Sequence, residues 1–152
     1  MHIVLVEPEI PANTGNIART CAATGSVLHL VRPLGFSTED KYLKRAGLDY
    51  WHLVEIHYYD NFSEFAACHA QRRFILATTK AARFYHQVNY QPDDMLIFGK
   101  ETEGLSTEIR NQYPDAQVRL PMINEARSLN LGNSVAAILY EALRQTGFQG
   151  LA

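Results

Sequence analysis

Six short apolar or β-branched runs recur along the chain: Ile3–Val6, Val27–Val31, Leu53–His57, Phe74–Thr78, Met95–Phe98 and Val118–Leu120. Their length and their Val, Ile, Leu and Phe content mark them as strands. Helical patterns are expected between them, over Asn16–Thr24, Thr38–Ala46, Ser63–Ala70 and Thr107–Asn111, with a longer helix over Leu131–Thr146 at the end. Such alternation folds as α/β, with a mainly parallel sheet flanked by helices. Gly25 and Gly147 fall where glycines end helices. Ser37, followed by Thr38-Glu39-Asp40, resembles a capping arrangement with an acidic third position. Ligands of these sheets bind beyond the carboxyl ends of the strands, which points to the loops after Val6, Thr78, Phe98 and Leu120.

The 152 residues are read as one domain spanning 1–152. Hydrophobic residues make up 47% and charged residues 20%, the balance of a soluble globular protein. No apolar run has the roughly 20 residues of a membrane span, so no membrane partner is expected. Met1-His2-Ile3-Val4-Leu5-Val6-Glu7 has no basic start or small-residue cleavage site, and reads as a first strand rather than a signal peptide. Cys21 and Cys68 form no CxxC pair, and the six histidines show no HExxH spacing. A cytoplasmic, metal-free protein is the expectation. The net charge of −2 excludes a globally basic nucleic-acid binder. Local patches stay open at Lys41, Lys44 and Arg45, at Arg72 and Arg73, and at Lys80 with Arg83. Taken singly, each reads as solvated surface charge.

Three loops stand out. In Glu7-Pro8-Glu9-Ile10-Pro11-Ala12-Asn13-Thr14-Gly15-Asn16-Ile17-Ala18-Arg19, two prolines hold an extended lead-in to a helix. Asn13, Asn16 and Arg19 recur every third residue and share a broad face, with Ile17 and Cys21 turned to the core. A phosphate or sugar site at this helix start competes with a simpler reading, in which Asn13 or Thr14 caps the helix and Arg19 is solvated. Phe98-Gly99-Lys100-Glu101-Thr102-Glu103-Gly104-Leu105 follows an apolar strand. Its glycines permit close backbone approach to a ligand, and Glu101 offers an acceptor. Neither GxxxxGK[ST] nor GxGxxG is present, which disfavours a conventional nucleotide site. A plain turn is the alternative. After Arg119-Leu120-Pro121-Met122, the residues Ser128, Asn130, Asn133 and Ser134 crowd polar groups around a helix start, more than a cap requires. Leu131, Val135, Ile138, Leu139, Ala142 and Leu143 give that helix an apolar stripe. Tyr140, on its less apolar side, is open to three readings: core edge, interface contact or RNA contact.

In this order and spacing the loops resemble the three motifs of the SPOUT methyltransferases. The matching segments are Asn13-Thr14-Gly15-Asn16-Ile17-Ala18-Arg19, then Phe98-Gly99-x-Glu101-x-x-Gly104-Leu105, then Leu120-Pro121-Met122 with Ser128-Leu129-Asn130-Leu131. The opening Glu7-Pro8-Glu9-Ile10-Pro11, the short chain and Lys44-Arg45-Ala46-Gly47-Leu48-Asp49-Tyr50 resemble the minimal members, which methylate the ribose 2'-oxygen of the tRNA wobble nucleotide, a cytidine or modified uridine. The resemblance implies a C-terminal deep trefoil knot (the α/β-knot of the family), which the general rule against knotted chains would reject. It also implies a homodimer with active sites at the interface, S-adenosylmethionine as cofactor with S-adenosylhomocysteine as product, and the tRNA anticodon loop as substrate.

By motif position, the resemblance gives the cofactor Ala77, Gly99, Leu120, Met122, Ser128 and Leu129, and the chemistry Arg19, Asn16, Glu101 and Asn130. Lys41, Lys44, Arg45, Arg83 and Tyr140 are candidates for RNA contact. Relatives assign the arginine of the first motif to activation of the hydroxyl. A guanidinium stays protonated and accepts no proton, so Arg19 is read as an orienter of the hydroxyl or its phosphate. Glu101 is expected to support the catalytic loop or an arginine of the partner subunit. Lys100 stands where relatives often carry proline, and the chain stops at Ala152 where some members continue with charged residues. Two alternatives stay open: methylation of another tRNA or ribosomal RNA ribose, and a non-catalytic RNA-binding or assembly protein of the same fold.

Overall fold

The computed structural model describes residues 1–38 and 50–152. The helix expected over Thr38–Ala46, the acidic turn after Ser37 and the basic set Lys41, Lys44 and Arg45 lie outside the described residues, apart from Ser37 and Thr38 themselves. The described strands are β1 (His2–Val6), β2 (Val27–Val31), β3 (Ile56–Tyr59), β4 (Phe74–Ala77), β5 (Met95–Phe98) and β6 (Gln117–Val118). They form one sheet in the order β3-β2-β1-β5-β4-β6. Every pairing is parallel, with Val4 opposite His29 on one side and Ile97 on the other.

Four described α-helices accompany the sheet: α1 (Pro11–Thr24), α2 (Phe62–Cys68), α3 (Thr107–Gln112) and α4 (Leu131–Gln145). Because side chains alternate across a strand, β1 sends Ile3 and Leu5 to one face and Val4 and Val6 to the other. Ile3 and Leu5 join Leu28, Leu30, Leu96 and Phe98 beneath Ile17 and Cys21 of α1 and Val135, Ile138 and Leu139 of α4. Val4 and Val6 join Val31, Leu76 and Ile97 beneath Phe65 of α2 and Ile109 of α3. Strands covered on both faces must be apolar along most of their length, which is why the runs at β1, β2, β4 and β5 were legible. Each of these faces removes enough apolar area to contribute about 1.5–3 kcal/mol per large side chain.

The second face carries one polar chain. His29 is 2% exposed. Its Nε2 meets His2 Nδ1 at 3.0 Å, its Nδ1 meets the Tyr59 hydroxyl at 2.9 Å, and that hydroxyl meets His69 Nε2 at 2.9 Å.

Besides shifts of one or two residues elsewhere, three elements differ from expectation. Helix α1 begins at Pro11 rather than Asn16; Pro11 takes the first helical position, where its missing N–H costs nothing. The third strand is Ile56–Tyr59, not Leu53–His57. Leu53 is 61% exposed, with its N–H bonded to the Tyr50 carbonyl in a turn, while Trp51 and Val54 pack on the core without joining the sheet. The last strand is Gln117–Val118 rather than Val118–Leu120. Arg119 makes only an isolated bridge to Phe84, and the chain then leaves the sheet. Gly25 and Gly147 take positive φ values of 62° and 77° at the helix ends, as expected.

Candidate active site

The carboxyl ends of β4, β5 and β6 open into a cavity of about 470 Å³, within the range of roughly 300–1,000 Å³ that small-molecule sites occupy. Ala77 and Thr78 from β4, Phe98 to Leu105 from β5, and Leu120, Met122 and Arg127 to Leu131 from the connector into α4 form its walls. Asn13 and Ile10 close it from α1. Ile10 and Leu129, which are 45% and 47% exposed, put large apolar side chains at its rim. Among the described residues, the backbone N–H groups of Leu120 and Met122 have no acceptor within the protein, so the wall offers donors as well as apolar surface.

The loop after β5 is folded tightly. Gly104 takes φ +69° and donates its N–H to the Lys100 carbonyl at 2.9 Å. A Cβ on Gly99 would overlap the Gly104 carbonyl and the Leu105 nitrogen. Glycine is thus required at 99 by contact with its own loop, before any ligand is considered. Lys100 points back to β1, its ammonium 3.0 Å from Glu7 Oε2, and that hydrogen bond raises the lysine pKa above its ordinary value. Glu7 itself holds φ +53°, uncommon for a residue other than glycine.

Glu101 ties this loop to the first one. Its carboxylate accepts from the Glu9 N–H at 2.8 Å, the Ile10 N–H at 3.1 Å and Asn13 Nδ2 at 3.1 Å. Glu9 reciprocates, its carboxylate accepting from the Thr102 N–H at 3.1 Å and from the Thr102 hydroxyl. The relay continues to the third loop, where Asn130 Nδ2 donates to Asn13 Oδ1 at 2.9 Å. Asn130 caps α4, its Oδ1 accepting from the Asn133 N–H at 3.2 Å while the Ser134 hydroxyl donates to its carbonyl at 3.1 Å. The bonds to the Glu101 and Glu9 carboxylates are charge-assisted, and such bonds are roughly twice as strong as neutral ones.

The six residues expected at a cofactor, Ala77, Gly99, Leu120, Met122, Ser128 and Leu129, all line the cavity. Glu101 and Asn130 line it too, whereas Asn16 and Arg19 do not. Asn16 and Arg19 are exposed on α1, and Asn16 Cβ would lie 3.9 Å from a Cβ on Gly132 at the start of α4. The Arg19 guanidinium sits 4.8 Å from the centre of the Tyr50 ring. Arg83 is exposed and donates to the Gln87 carbonyl. Tyr140 is 47% exposed on α4.

Two expectations for the first loop need correction. Asn13 and Thr14 do not cap α1: the cap position is Ile10, with no side-chain bond, and both residues are buried inside the helix. Nor do Asn13, Asn16 and Arg19 share one environment, since Asn13 turns to Glu101 and the other two face outward. Sequence reasoning gave Glu9 no role and gave Asn13 a different one. Their partners lie 88 to 117 positions away, so no local spacing could mark them. The only available signal was an asparagine early in a helix that a proline already starts.

A parallel α/β fold with its cavity at the strand carboxyl ends and three convergent loops defines a class of ligand-binding enzymes. Within that class the chain belongs to the SpoU rRNA Methylase family, whose model matches residues 1–140. It is 53% identical over 149 residues to the tRNA (cytidine(34)-2'-O)-methyltransferase of Methylovorus glucosotrophus, covering 97% of each chain. A solved structure described as giving insights into the 2-OH methylation of C/U34 on tRNA is similar with a TM-score of 0.91 and 40% identity, covering 95% of each chain. The SpoU methyltransferase AviRb of Streptomyces viridochromogenes, solved with the cofactor AdoMet, is similar with a TM-score of 0.82 and 26% identity over 96% of this chain and 57% of AviRb.

Proposed function

We propose that this chain transfers a methyl group from S-adenosylmethionine to the ribose 2'-oxygen of the tRNA wobble nucleotide, a cytidine or modified uridine at position 34. The observation that carries the reading is the convergence of all three loops on one cofactor-sized cavity, in a chain similar over nearly its whole length to tRNA methyltransferases. The cavity walls fit the cofactor. Gly99 brings backbone to the cavity edge without a side chain, the N–H groups of Leu120 and Met122 offer donors, and Ile10 and Leu129 offer apolar surface. Ala77, Ser128 and Leu129 complete the pocket assigned to the adenosine and methionine parts.

When bound, the cofactor supplies a methyl group made electrophilic by its sulfonium. The protein's task is to hold the ribose oxygen in line with that methyl and to help remove its proton. Glu101 serves as a brace: all three of its described contacts are donors from the first loop. Asn130 and Asn13 carry the same brace to the helix start, and Asn16 supports that helix start beside Gly132. Arg19 orients the 2'-hydroxyl or the neighbouring phosphate through its fixed fork of N–H donors, the phosphate serving as the proton's first acceptor.

The working form is a homodimer. Arg19 and Tyr140 are exposed on α1 and α4 and lie outside their own chain's cavity, as expected if a second copy completes each site. The deep trefoil knot is supported by the chain path. After β6 at the sheet edge the chain returns so that α4 packs on α1 and β5, and Leu120, Met122 and Arg127 to Leu131 share their cavity with the loop after β5. The tRNA anticodon loop approaches from the cytoplasm, with Arg83, Tyr140 and the basic set Lys41, Lys44 and Arg45 contacting RNA.

The deciding experiment supplies the purified protein with labelled S-adenosylmethionine and total tRNA from a strain lacking this gene, then maps the product. Label on the wobble ribose is expected. Label on another ribose, or none, would overturn the assignment.

A further inference from the structure

We infer that Tyr50 is a positioning residue for Arg19, holding the guanidinium by its ring face so that the N–H donors stay available to the RNA. The inference deepens the proposed methyl transfer and rests on the role given there to Arg19. Arg19 Cζ lies 4.8 Å from the Tyr50 ring centre, inside the roughly 6 Å within which a cation is attracted to an aromatic face. Among the described residues, no carboxylate or carbonyl accepts a hydrogen bond from Arg19 and no ion pair forms with it. Four other arginines contrast with it: Arg32 is paired with Asp60, Arg72 with Asp93, Arg73 with Asp94 and Arg144 with Glu141, while Arg119 likewise faces a ring, that of Phe84 at 5.7 Å.

The difference has a chemical consequence. A carboxylate holds an arginine by consuming the donors that would otherwise read a hydroxyl or a phosphate. A ring face holds the same cation through its charge and leaves the donors unspent. An unheld arginine on an exposed helix face would also sample many rotamers and lose entropy on ordering. Tyr50 lessens that cost because its backbone is anchored beside packed neighbours. The following Trp51 and Val54 pack against the core, and the Tyr50 carbonyl accepts from the Leu53 N–H at 2.9 Å. No described residue bonds to the Tyr50 hydroxyl, so the ring is the working part.

The test compares Tyr50→Phe, Tyr50→Leu, Arg19→Ala and the double variant Tyr50→Leu/Arg19→Ala, under saturating S-adenosylmethionine and tRNA. Cofactor affinity and melting temperature are measured alongside. Tyr50→Leu is expected to lower kcat about tenfold, with cofactor affinity unchanged and the tRNA KM within about twofold. Tyr50→Phe should keep the wild-type kcat, and the double variant should be no slower than Arg19→Ala. If Tyr50→Leu does not fold, Tyr50→Gln replaces it, retaining a polar chain without a ring face. A normal kcat in the ringless variant, or an equal loss in Tyr50→Phe, would overturn the positioning role while leaving the methyl-transfer reading intact. So would a ringless variant that slows the Arg19→Ala background by the same factor. If Arg19→Ala itself turned over normally, the role given to Arg19 would fail and this inference with it. Inactivity of the unmutated protein on tRNA would instead be the failure of the proposed function.

Discussion

Asn130 Nδ2 donates to Asn13 Oδ1 at 2.9 Å, joining the helix start of the third loop to the first turn of α1 across 117 residues of chain. Asn13 is the pivot, since its own Nδ2 goes on to Glu101. An asparagine suits this place because it accepts on one atom and donates on the other. Asn13→Ala would leave the Asn130 amide and the Glu101 carboxylate each short of a partner near a buried site, at a cost of about 1–3 kcal/mol. Asn13→Asp should be worse, because it sets a second carboxylate against Glu101 and removes the donor. Urea unfolding of the two variants checks the order. Asn13→Asp proving as stable as Asn13→Ala would dismiss the relay.

Glu101 makes a more functional prediction. Its carboxylate spans two backbone N–H groups and one side-chain amide of the first loop. Glu101→Ala should loosen the cavity wall on that side while leaving the sheet untouched. The expected result is a fall in methylation of about tenfold or more, weaker cofactor binding in a calorimetric titration, and an unchanged far-ultraviolet circular dichroism spectrum. Full activity of this variant would remove Glu101 from the site.

Much of this architecture was open to reading because it is locally encoded. Strands covered on both faces have to be apolar along most of their length, so Val27–Val31 and Met95–Phe98 declared themselves with their observed limits. Which loops wall the cavity followed from the strand ends they leave, whereas the individual residues expected at the cofactor came from the resemblance to the SPOUT motifs. Leu53–His57 misled because Val54 is apolar for packing on the core rather than for pairing in the sheet. The reciprocal latch between Glu9 and Thr102, and the pivot at Asn13, are long-range hydrogen bonds between ordinary polar residues. Periodicity carries no trace of such bonds, and Asn13 therefore looked like a helix cap.

Gly99 separates folding of the loop from folding of the sheet. Since any Cβ there would overlap the Gly104 carbonyl and the Leu105 nitrogen, Gly99→Ala must displace one strand of the tight turn. Overpacking of this sort costs about 1–3 kcal/mol, which a sheet with two apolar faces can absorb. Gly99→Ala is therefore expected to fold, melt a few degrees lower, and lose most of its S-adenosylmethionine affinity. Retention of wild-type affinity, measured by the same titration, would show that the turn does not shape the cofactor wall.

The histidine chain behind the sheet makes stability depend on pH. Burial, reinforced by the charge of His2, lowers the His29 pKa to about 3; burial, reinforced by the terminal ammonium, lowers that of His2 to about 4. His69 is lowered as well, chiefly by burial, with Arg72 and His57 adding to it. Both His2 and His29 thus bind protons less readily folded than unfolded, where the ordinary value is near 6.5. The unfolded chain takes up protons first as pH falls, so the stabilisation is complete above about pH 6.5 and is lost progressively down towards the folded values near 4 and 3. Geometry reinforces the effect, since protonating both rings would set an N–H against an N–H at the 3.0 Å contact between His2 and His29. The urea midpoint is expected to decline between pH 6.5 and 4.5, on top of a fall beginning below pH 8 from the terminal ammonium, whose pKa burial also lowers. His29→Phe removes the most deeply buried ring of the chain while leaving the Tyr59 hydroxyl its bond to His69, and should flatten that decline. An equally steep decline in His29→Phe would assign the acid sensitivity to other groups.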